Sequence, residues 1–222
     1  MSKLAVVLLS GGMDSAVTAA IAKEQGYDIA CLHLNYGQKT QERELKQFNK
    51  LCDQFQAVSR LVTDVRFLSQ IGGSSLTDEK IEITDADLDS KEIPSSYVPF
   101  RNANILAIAT SWAEVIGAEA LFIGAVYEDS SGYPDTRREF FEAFEKVIAT
   151  GTKPSTQIKI KTPIIDMNKD EIIRKGQELN VPFSETWSCY KNNDVACGKC
   201  DSCGLRLRAF SRVGMEDPID YK

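Results

Sequence analysis

The feature that most constrains the fold is an apolar run, Leu4–Leu9, that leads into the segment Ser10–Ser15 (SGGMDS). A short, uninterrupted apolar run is typical of a strand that is buried on both faces. Helical spacing begins near Met13, so the sequence predicts a strand that turns through Gly11 and Gly12 into a helix. The N–H groups at the start of a helix bind anions, and glycines let the backbone approach them closely. This order therefore predicts an anion-binding loop at the end of the first strand.

The side chains of this loop favour a nucleotide as the anion. Ser10 and Ser15 add hydroxyl donors, and Asp14 can either bind Mg²⁺ or cap the helix. The loop does not match the Walker A motif, which requires a lysine. Ser-Gly-Gly-x-Asp-Ser after a first strand instead resembles the pyrophosphate loop of the ATP pyrophosphatases, or PP-loop enzymes. The resemblance implies a loop that binds the β- and γ-phosphates and leaves the α-phosphorus open to attack; an ordinary strand–turn–helix is the alternative.

Apolar periodicity predicts alternating strands and helices along most of the chain. Strands are predicted at residues 4–9, 27–34, 57–65, 120–126 and 157–161. After the first helix, further helices are predicted at residues 40–55, 103–117 and 139–148, with another that ends near residue 179. Because a βαβ order produces right-handed crossovers, the strands should be parallel. We therefore predict an α/β, Rossmann-like fold, with a five-stranded parallel sheet and helices on both faces.

One long segment interrupts this alternation. Residues 68–99 contain a Gly-Gly-Ser-Ser run and an acidic stretch around Asp85, Asp87 and Asp89. The segment is too long for a simple connection and is predicted to form a flap, a lid or an oligomer contact. The acidic residues are typical of a solvated face. We expect an ATP-binding domain at residues 1–183, which includes this insertion, and a C-terminal region at residues 184–222.

The C-terminal region concentrates four of the six cysteines of the chain. They are Cys189, Cys197, Cys200 and Cys203, and they form two overlapping C-x-x-C steps. Four thiolates in a short segment favour one tetrahedral, structural Zn²⁺ that has no open position for catalysis. An iron–sulfur cluster and a redox C-x-x-C pair are the alternatives.

Composition limits the possible partners. The 222 residues carry a net charge of −6, with a pI near 5.0, which argues against a nucleic-acid-binding protein. The sequence contains no apolar run long enough for a transmembrane helix, so we expect no membrane association. It begins without the pattern of a secretory signal, and a cytoplasmic location is therefore expected.

Further motifs now join the loop and the cysteines. They are Val98–Asn104 (VPFRNAN), Gly132–Arg137 (GYPDTR) and Lys161-Thr162-Pro163, the last followed by Lys169 and Glu171. Together they resemble the 7-cyano-7-deazaguanine synthases, the PP-loop enzymes that form preQ0 in queuosine biosynthesis. The resemblance covers nearly the whole chain and implies the adenine nucleotide alpha hydrolase-like version of the Rossmann fold.

The resemblance also implies a reaction and its participants. Such an enzyme converts 7-carboxy-7-deazaguanine, with ammonia and ATP, into the nitrile, through an adenylated carboxylate and an amide. ATP would be a cosubstrate with Mg²⁺, and the protein would form a homodimer. A carboxylate is a poor electrophile, so its activation as an acyl-adenylate supplies the leaving group that ammonia displaces. Chemistry of this kind depends mainly on positioning and charge neutralisation.

Residue roles follow as hypotheses. The predicted catalytic residues are Ser10, Asp14, Ser15, Arg101 and Lys161. The predicted nucleotide contacts are Leu8, Leu9, Ser10, Gly11, Gly12, Met13, Asp14, Ser15, Ala16, Val17 and Lys161. The predicted substrate contacts are Phe100, Arg101, Tyr133, Asp135 and Arg137.

Each of the main substrate contacts has a simpler alternative. Arg101 would clamp a carboxylate or phosphate, or else be an ordinary residue at a helix start. Asp135 would accept hydrogen bonds from a guanine-like base, or else hold a turn. Phe100 or Tyr133 would stack on that base, or else contribute only to packing. His33, the only histidine, is interpreted as a strand residue near the nucleotide rather than a catalytic base.

Three other functions remain open at this stage. A tRNA-thiolating PP-loop enzyme would use the C-x-x-C cysteines for sulfur transfer and would need a basic RNA-binding face. A nucleotide-sensing module would bind nucleotide without turnover. Amidotransferase-type PP-loop enzymes fit the four-cysteine tail poorly. The sequence shows no glutaminase domain, so ammonia should be free or delivered by a partner.

Overall fold

Five strands form a single parallel sheet in the computed structural model, which describes residues 3–86, 92–127 and 133–222. The strands are β1 (Lys3–Leu8), β2 (Tyr27–Asn35), β3 (Ser59–Asp64), β4 (Ala120–Ile123) and β5 (Lys159–Lys161). Their spatial order is β3-β2-β1-β4-β5. The prediction of a five-stranded parallel α/β fold is confirmed. Gly132, Asp87 and Asp89, on which parts of the sequence analysis depended, lie outside the described residues.

Helices connect the strands and cover both faces of the sheet. They are α1 (Met13–Glu24), α2 (Gln41–Gln54), α3 (Phe67–Ile71), α4 (Arg101–Ile116), α5 (Arg138–Gly151), α6 (Lys169–Glu178) and α7 (Asp201–Arg212). Side chains alternate along a strand, so successive residues of β1 enter different cores. Ala5 and Val7 face a core that also contains residues of α1, α2, α6 and α7, whereas Val6 and Leu8 face a core built from α4 and α5.

The strand order creates a binding crevice beside β1. The chain proceeds from β1 to β2 and β3 on one side, and then returns to place β4 on the other side of β1. The crossover helices therefore diverge at the carboxyl ends of β1 and β4. Parallel sheets bind their ligands at this kind of switch point. The predicted anion-binding loop, residues 10–15, lies directly at this position.

Local signals explain several element ends. Gly117 adopts a left-handed conformation with φ of 71° and ends α4, as predicted. Asn168 caps α6, because its side chain accepts the N–H of Glu171 while the Glu171 carboxylate accepts the N–H of Asn168. β4 ends at Ile123, three residues before the predicted end. At the next residue, Gly124, an added Cβ would lie 3.0 Å from the Asp14 carbonyl, so the chain leaves the strand where α1 crosses closely.

The described parts of the insertion, residues 68–86 and 92–99, and the C-terminal region both pack against the main body. The described parts of the insertion are tied together by the Ser75 N–H, which donates to the Ser95 carbonyl oxygen at 2.8 Å. In the C-terminal region, α7 buries Ala209 and Phe210 in the same core as α1 and α6. None of the helices in the described part of the chain has both the length and the apolar character needed to cross a bilayer.

Candidate active site

The phosphate loop, residues 10–15, is held by its own hydroxyl groups. The Ser15 hydroxyl donates to the Gly12 carbonyl oxygen at 2.9 Å and accepts the N–H of Ser10 at 3.2 Å. The Ser10 hydroxyl lies 3.1 Å from it and accepts the N–H of Gly12 at 3.2 Å. These contacts hold the turn between β1 and α1. They place the start of α1, with its positive dipole end, at the switch point.

Neighbouring segments hold this loop from two sides. Gly11 has φ of +93°, and a Cβ added there would lie 2.6 Å from the Glu44 carbonyl oxygen on α2. On the other side, the N–H of Trp187 donates to the Gly11 carbonyl oxygen at 2.9 Å. Gly11 is therefore required both by its positive φ and by the close approach of α2.

Asp14 forms an ion pair that the sequence analysis did not identify. Its Oδ2 atom lies 2.6 Å from Nζ of Lys169, the first residue of α6. The Lys169 side chain is only 14% exposed, so the pair is well shielded from solvent. The second carboxylate oxygen, Oδ1, is buried and has no hydrogen-bond partner among the described residues. Asp14 does not cap α1, because Gly12 occupies the N-cap position. Its free oxygen can instead bind a cation.

Two adjoining cavities open at the loop. The smaller, of about 280 Å³, extends over the ends of β1 and β2 and is lined by Leu8, Ser10 and His33. The larger, of about 570 Å³, is lined by Lys169, Tyr133 and residues of α7. Asp14, Arg101, Ser188 and Tyr190 line both. A nucleotide in the smaller cavity would thus share a wall with a second substrate in the larger one.

Arg101 occupies this shared wall as the first residue of α4. Its guanidinium carbon lies 5.5 Å from the ring centre of Tyr36, and one N–H group donates to the Tyr36 hydroxyl at 3.5 Å. Burial raises the pKa of Tyr36 to about 12, so this phenol is neutral at physiological pH. Arg101 has no ion-pair partner among the described residues. It is therefore a partly buried cation available to an anionic substrate group.

Glu44 is a second partly buried ionisable residue at the site, and the sequence analysis missed it. Its carboxylate accepts the Thr40 hydroxyl at 2.6 Å and an N–H of Gln38 at 3.0 Å, and the residue lines the smaller cavity. Burial raises the pKa of Glu44, although these two hydrogen bonds oppose the shift. Glu44 belongs to a charged helix, and its sequence position resembles that of any solvated residue. No signal in the sequence distinguishes it.

His33 is buried at the floor of the smaller cavity. Its Nδ1–H group donates to the Leu9 carbonyl oxygen at 3.2 Å, and its ring lies 5.1 Å from that of Phe48. Burial lowers the pKa of His33, so the ring is neutral at physiological pH. This placement agrees with the interpretation of His33 as a strand residue close to the nucleotide.

The predicted substrate contacts are only partly brought together. Tyr133 lines the larger cavity, and its hydroxyl lies 2.8 Å from that of Ser96. Asp135 is 4% exposed and accepts the backbone N–H of Asn102 at 2.9 Å, while its own carbonyl accepts the Asn102 side-chain amide. This contact matches the simpler alternative, in which Asp135 holds a turn at the start of α4.

The other two predicted contacts lie on the surface. Phe100 is 63% exposed and its ring lies 6.4 Å from that of Phe140. Arg137 is exposed at the start of α5. Neither residue is among those that line the two cavities in the described part of the chain.

The structure places a different lysine beside the phosphate loop from Lys161, the lysine that the sequence analysis predicted to be catalytic. Lys161 ends β5, the edge strand, and its side chain is exposed outside both cavities. Lys169, eight residues later, reaches the phosphate loop. Lys169 follows Asn168, the cap of α6, so a lysine at the start of a helix that follows the last strand was the available signal.

The four predicted metal ligands converge. The sulfur atoms of Cys189, Cys197, Cys200 and Cys203 all lie within 4.8 Å of one another. Backbone N–H groups of Lys191, Asn192 and Cys197 donate to the Cys189 sulfur at 3.4 Å, and the N–H of Cys200 donates to the Cys197 sulfur at 3.3 Å. Such donors stabilise thiolates. This donor set could hold a metal ion.

Comparison with known proteins places the chain in a family. Residues 4–214 match the family described as "Queuosine biosynthesis protein QueC". The chain belongs to the QueC family. Relatives that match nearly the whole chain are named 7-cyano-7-deazaguanine synthase. The one from Chloroherpeton thalassium is 62% identical over 218 residues, which cover 98% of this chain and 96% of the relative.

Other relatives agree with this membership, and two solved structures agree with the fold. Proteins of the same name from Chlorobium phaeobacteroides and Chlorobaculum tepidum are 61% and 56% identical, each with 98% and 96% coverage of the two chains. A 4-thiouridine synthetase solved with RNA and bound ATP is 16% identical and superposes with a TM-score of 0.51. The superposition covers 96% of this chain and 50% of that one. A predicted subunit of tRNA methyltransferase from Methanocaldococcus jannaschii is 14% identical, with a TM-score of 0.52 and coverage of 100% and 93%.

At these identities the solved structures establish the fold alone. The expected membership in the QueC family and the expected fold class are both confirmed. The roles of individual site residues stay predictions.

Proposed function

We propose that this protein is an ATP-dependent ligase that converts 7-carboxy-7-deazaguanine and ammonia into 7-cyano-7-deazaguanine. The observation that carries the proposal is an identity of 56–62% over 98% of the chain to relatives of that name. The geometry supports the same conclusion, because a phosphate loop at the switch point adjoins a second cavity across a wall that contains the partly buried Arg101. Nucleotide and carboxylate substrates can thus meet at one place.

The first step is activation of the carboxylate. A carboxylate oxygen attacks the α-phosphorus of ATP, the bond from that phosphorus to the bridging oxygen breaks, and pyrophosphate leaves with the electron pair. The N–H groups at the start of α1 and the hydroxyl of Ser10 would hold the β- and γ-phosphates. Lys169, largely buried beside Asp14, supplies the cation next to this loop, whereas Lys161 is exposed and lines neither cavity.

The remaining steps use the same site again. Ammonia adds to the acyl carbon, AMP leaves with one carboxylate oxygen, and the lost proton gives a neutral amide. The amide oxygen then attacks the α-phosphorus of a second ATP, and pyrophosphate again leaves with the electron pair of the broken P–O bond. Loss of AMP and of the amide N–H protons forms the nitrile. Arg101 would hold the carboxylate while it reacts, because its guanidinium lacks an ion-pair partner among the described residues.

Base recognition by Asp135 is a separate hypothesis with its own test. An Asp135→Asn variant should raise the KM for 7-carboxy-7-deazaguanine more than that for ATP if Asp135 binds the base. Equal small changes in both KM values would assign Asp135 to the support of α4, the role that its bond to Asn102 suggests. Tyr133 would stack on the base, with Tyr133→Phe as a control that keeps the ring.

The proposed enzyme would bind two metal ions, Zn²⁺ at the four cysteines and Mg²⁺ with the nucleotide. Four converging thiols with backbone N–H···S bonds suit Zn²⁺, which would hold the C-terminal region together. Mg²⁺ would accompany ATP and neutralise phosphate charge, and the unpartnered Oδ1 of Asp14 is a fitting oxygen ligand. Metal analysis of the purified protein tests the first assignment, and the Mg²⁺ dependence of ATP affinity in Asp14→Asn tests the second.

The tRNA-thiolating alternative is not favoured. The relatives with high identity carry the name of the deazaguanine enzyme, and the thiouridine synthetase shares only 16% identity. The four sulfur atoms also face one another, as a metal site requires, rather than a cavity. We propose a homodimer, a cytoplasmic location and a boundary near residue 183. Sedimentation, cell fractionation and limited proteolysis test them.

A turnover assay tests the function itself. The purified protein is incubated with Mg-ATP, ammonium and 7-carboxy-7-deazaguanine, and the products are identified by mass spectrometry. The expected product is the nitrile, with AMP. An absence of nitrile from folded, zinc-loaded protein would overturn the proposal and direct attention to tRNA binding and sulfur transfer.

A further inference from the structure

One short segment near the C-terminal end of the chain both contacts the phosphate loop and supplies the four cysteines of the metal site. We call residues 187–203 the cysteine segment. Its first residue, Trp187, donates its N–H to the Gly11 carbonyl oxygen at 2.9 Å, and its carbonyl oxygen lies 3.4 Å from the position of a Cβ on Gly12. Two residues later, Cys189 contributes the first sulfur of the metal site. A shift of the backbone between Trp187 and Cys189 would therefore move both sites.

The indole of Trp187 is also fixed in place. It is 3% exposed, it lines the smaller cavity, and the guanidinium of Arg43 lies 4.4 Å from its ring centre. A stacked, desolvated cation of this kind is among the stronger cation–π contacts. Arg43 belongs to α2, the same helix whose Glu44 carbonyl limits the space beside Gly11. The phosphate loop is therefore held between α2 and Trp187.

The cysteine segment supports other walls of the active site. Ser188 and Tyr190 line both cavities. The insertion is tied to it by the Ala86 N–H, which donates to the Lys199 carbonyl oxygen at 2.8 Å, and by an ion pair of 2.8 Å between Asp85 and Lys191. A metal ion that orders this segment would order the loop contact and these walls together.

We propose that Trp187 is a positioning residue that couples metal binding at the four cysteines to nucleotide binding at the phosphate loop. The proposal rests on ATP as the ligand of the proposed function. Coupling between two sites is reciprocal, so bound nucleotide must tighten metal binding by the factor by which metal tightens nucleotide binding. The metal thus has a role beyond folding, although no chemical step occurs on it.

Metal release provides the test. Zinc-loaded protein is mixed with a chromogenic chelator, and the rate of zinc loss is measured with and without a saturating, non-cleavable α,β-methylene analogue of ATP with Mg²⁺. We expect the analogue to slow zinc loss about tenfold, within the range of ordinary allosteric coupling. Equal rates, with calorimetry showing that the analogue binds, would overturn the coupling. A failure of the analogue to bind at all would instead overturn the proposed function.

Two variants assign the coupling to Trp187. Trp187→Ala and Arg43→Met should each be isolated with one zinc per chain but lose most of the protection by the analogue, whereas Trp187→Phe should restore it. Lys46→Met, which removes a charge from an exposed position on the same helix, is the matched control and should behave as wild type. Because Arg43 lies outside both cavities, its variant tests the proposal even if Trp187→Ala does not fold. The assignment would be overturned if the analogue protected zinc fully in Arg43→Met and protected it less in Trp187→Phe than in wild type.

Discussion

The phosphate loop and the cysteine segment are held in their conformations by different kinds of contact. The loop spans six residues whose hydroxyl groups bind one another, yet its path depends on α2 and Trp187, which are distant in sequence. The cysteine segment carries its own ligands, and its sulfur atoms converge within 4.8 Å through local turns. One region is open to substrates and supported from outside. The other is closed and supports itself once a metal binds.

This difference explains what each motif reveals. When the ligands of a motif are close in sequence, the sequence predicts both its structure and its chemistry. When a motif is held by distant residues, the sequence predicts its chemistry but not the residues that hold it. The variants below should therefore damage the two regions in different ways, with loss of folding at the cysteines and loss of nucleotide binding at the loop.

Loss of one metal ligand should have the largest effect. Cys200→Ser removes a thiolate from a closed site, so the protein should lose its metal and more than about 4 kcal/mol of unfolding free energy. Chemical denaturation and metal content measure both. Cys31→Ser, a buried cysteine outside the cluster, is the control and should keep its metal. A Cys200→Ser protein that retains metal and stability would contradict the assignment of a structural site.

The two lysines should differ sharply in activity. Lys169→Met should lower kcat by about 10²–10³-fold, because it removes the buried cation beside the phosphate loop. Lys161→Met should change kcat less than about twofold, since that side chain is exposed at the sheet edge. Steady-state kinetics with ATP as the varied substrate distinguish them. The reverse order of effects would return the catalytic role to Lys161.

A glycine comparison measures how tightly α2 confines the loop. Gly11→Ala combines a positive φ with an overlap at the Glu44 carbonyl, so it should cost more than about 3 kcal/mol of stability or displace the loop. Gly26→Ala has a similar φ of +81° but open space around its Cβ, and should cost only about 1 kcal/mol. Thermal unfolding and ATP affinity quantify both. Equal costs would show that the space beside Gly11 is unimportant.

The smallest expected effect concerns His33, whose Nδ1–H group donates to the residue before the loop. Burial lowers its pKa, so the unfolded chain binds a proton near pH 6.5 that the folded protein does not. The folded state therefore loses stability as the pH falls below about 6.5, by at most about 1.4 kcal/mol per pH unit. As the only histidine, it can be titrated by NMR. A measured pKa above 6.5 would contradict its burial as a neutral ring.

Sequence reasoning recovered the parts of the molecule that are local. Leu4–Ser15 predicted the first strand, the turn and the start of α1, because apolar runs and glycines act over a few residues. The cysteine spacing predicted a cluster whose sulfur atoms converge. The parallel sheet followed from the βαβ alternation.

The missed features depend on distant contacts. Lys169 contacts Asp14, although the two residues are 155 positions apart in the chain. Trp187 likewise contacts Gly11 from near the other end of the sequence. Glu44 is partly buried at the smaller cavity, where α2 packs against the loop. Periodicity identifies the face of a helix but not which buried charge lies beside a ligand. Asp135 also has a contact that its motif did not reveal, since its carboxylate accepts the N–H of Asn102, and its role in base binding stays a prediction.

In the proposed mechanism, the phosphate loop leaves the α-phosphorus open to attack by the substrate carboxylate. Isotope transfer can follow this attack, with 7-carboxy-7-deazaguanine that carries ¹⁸O in both carboxylate oxygens and mass spectrometry of every phosphorus-containing product. We expect ¹⁸O in AMP, one atom for each ATP consumed, while pyrophosphate remains unlabelled. Label in inorganic phosphate, with ADP as the nucleotide product, would place the attack at the γ-phosphorus and exclude this mechanism.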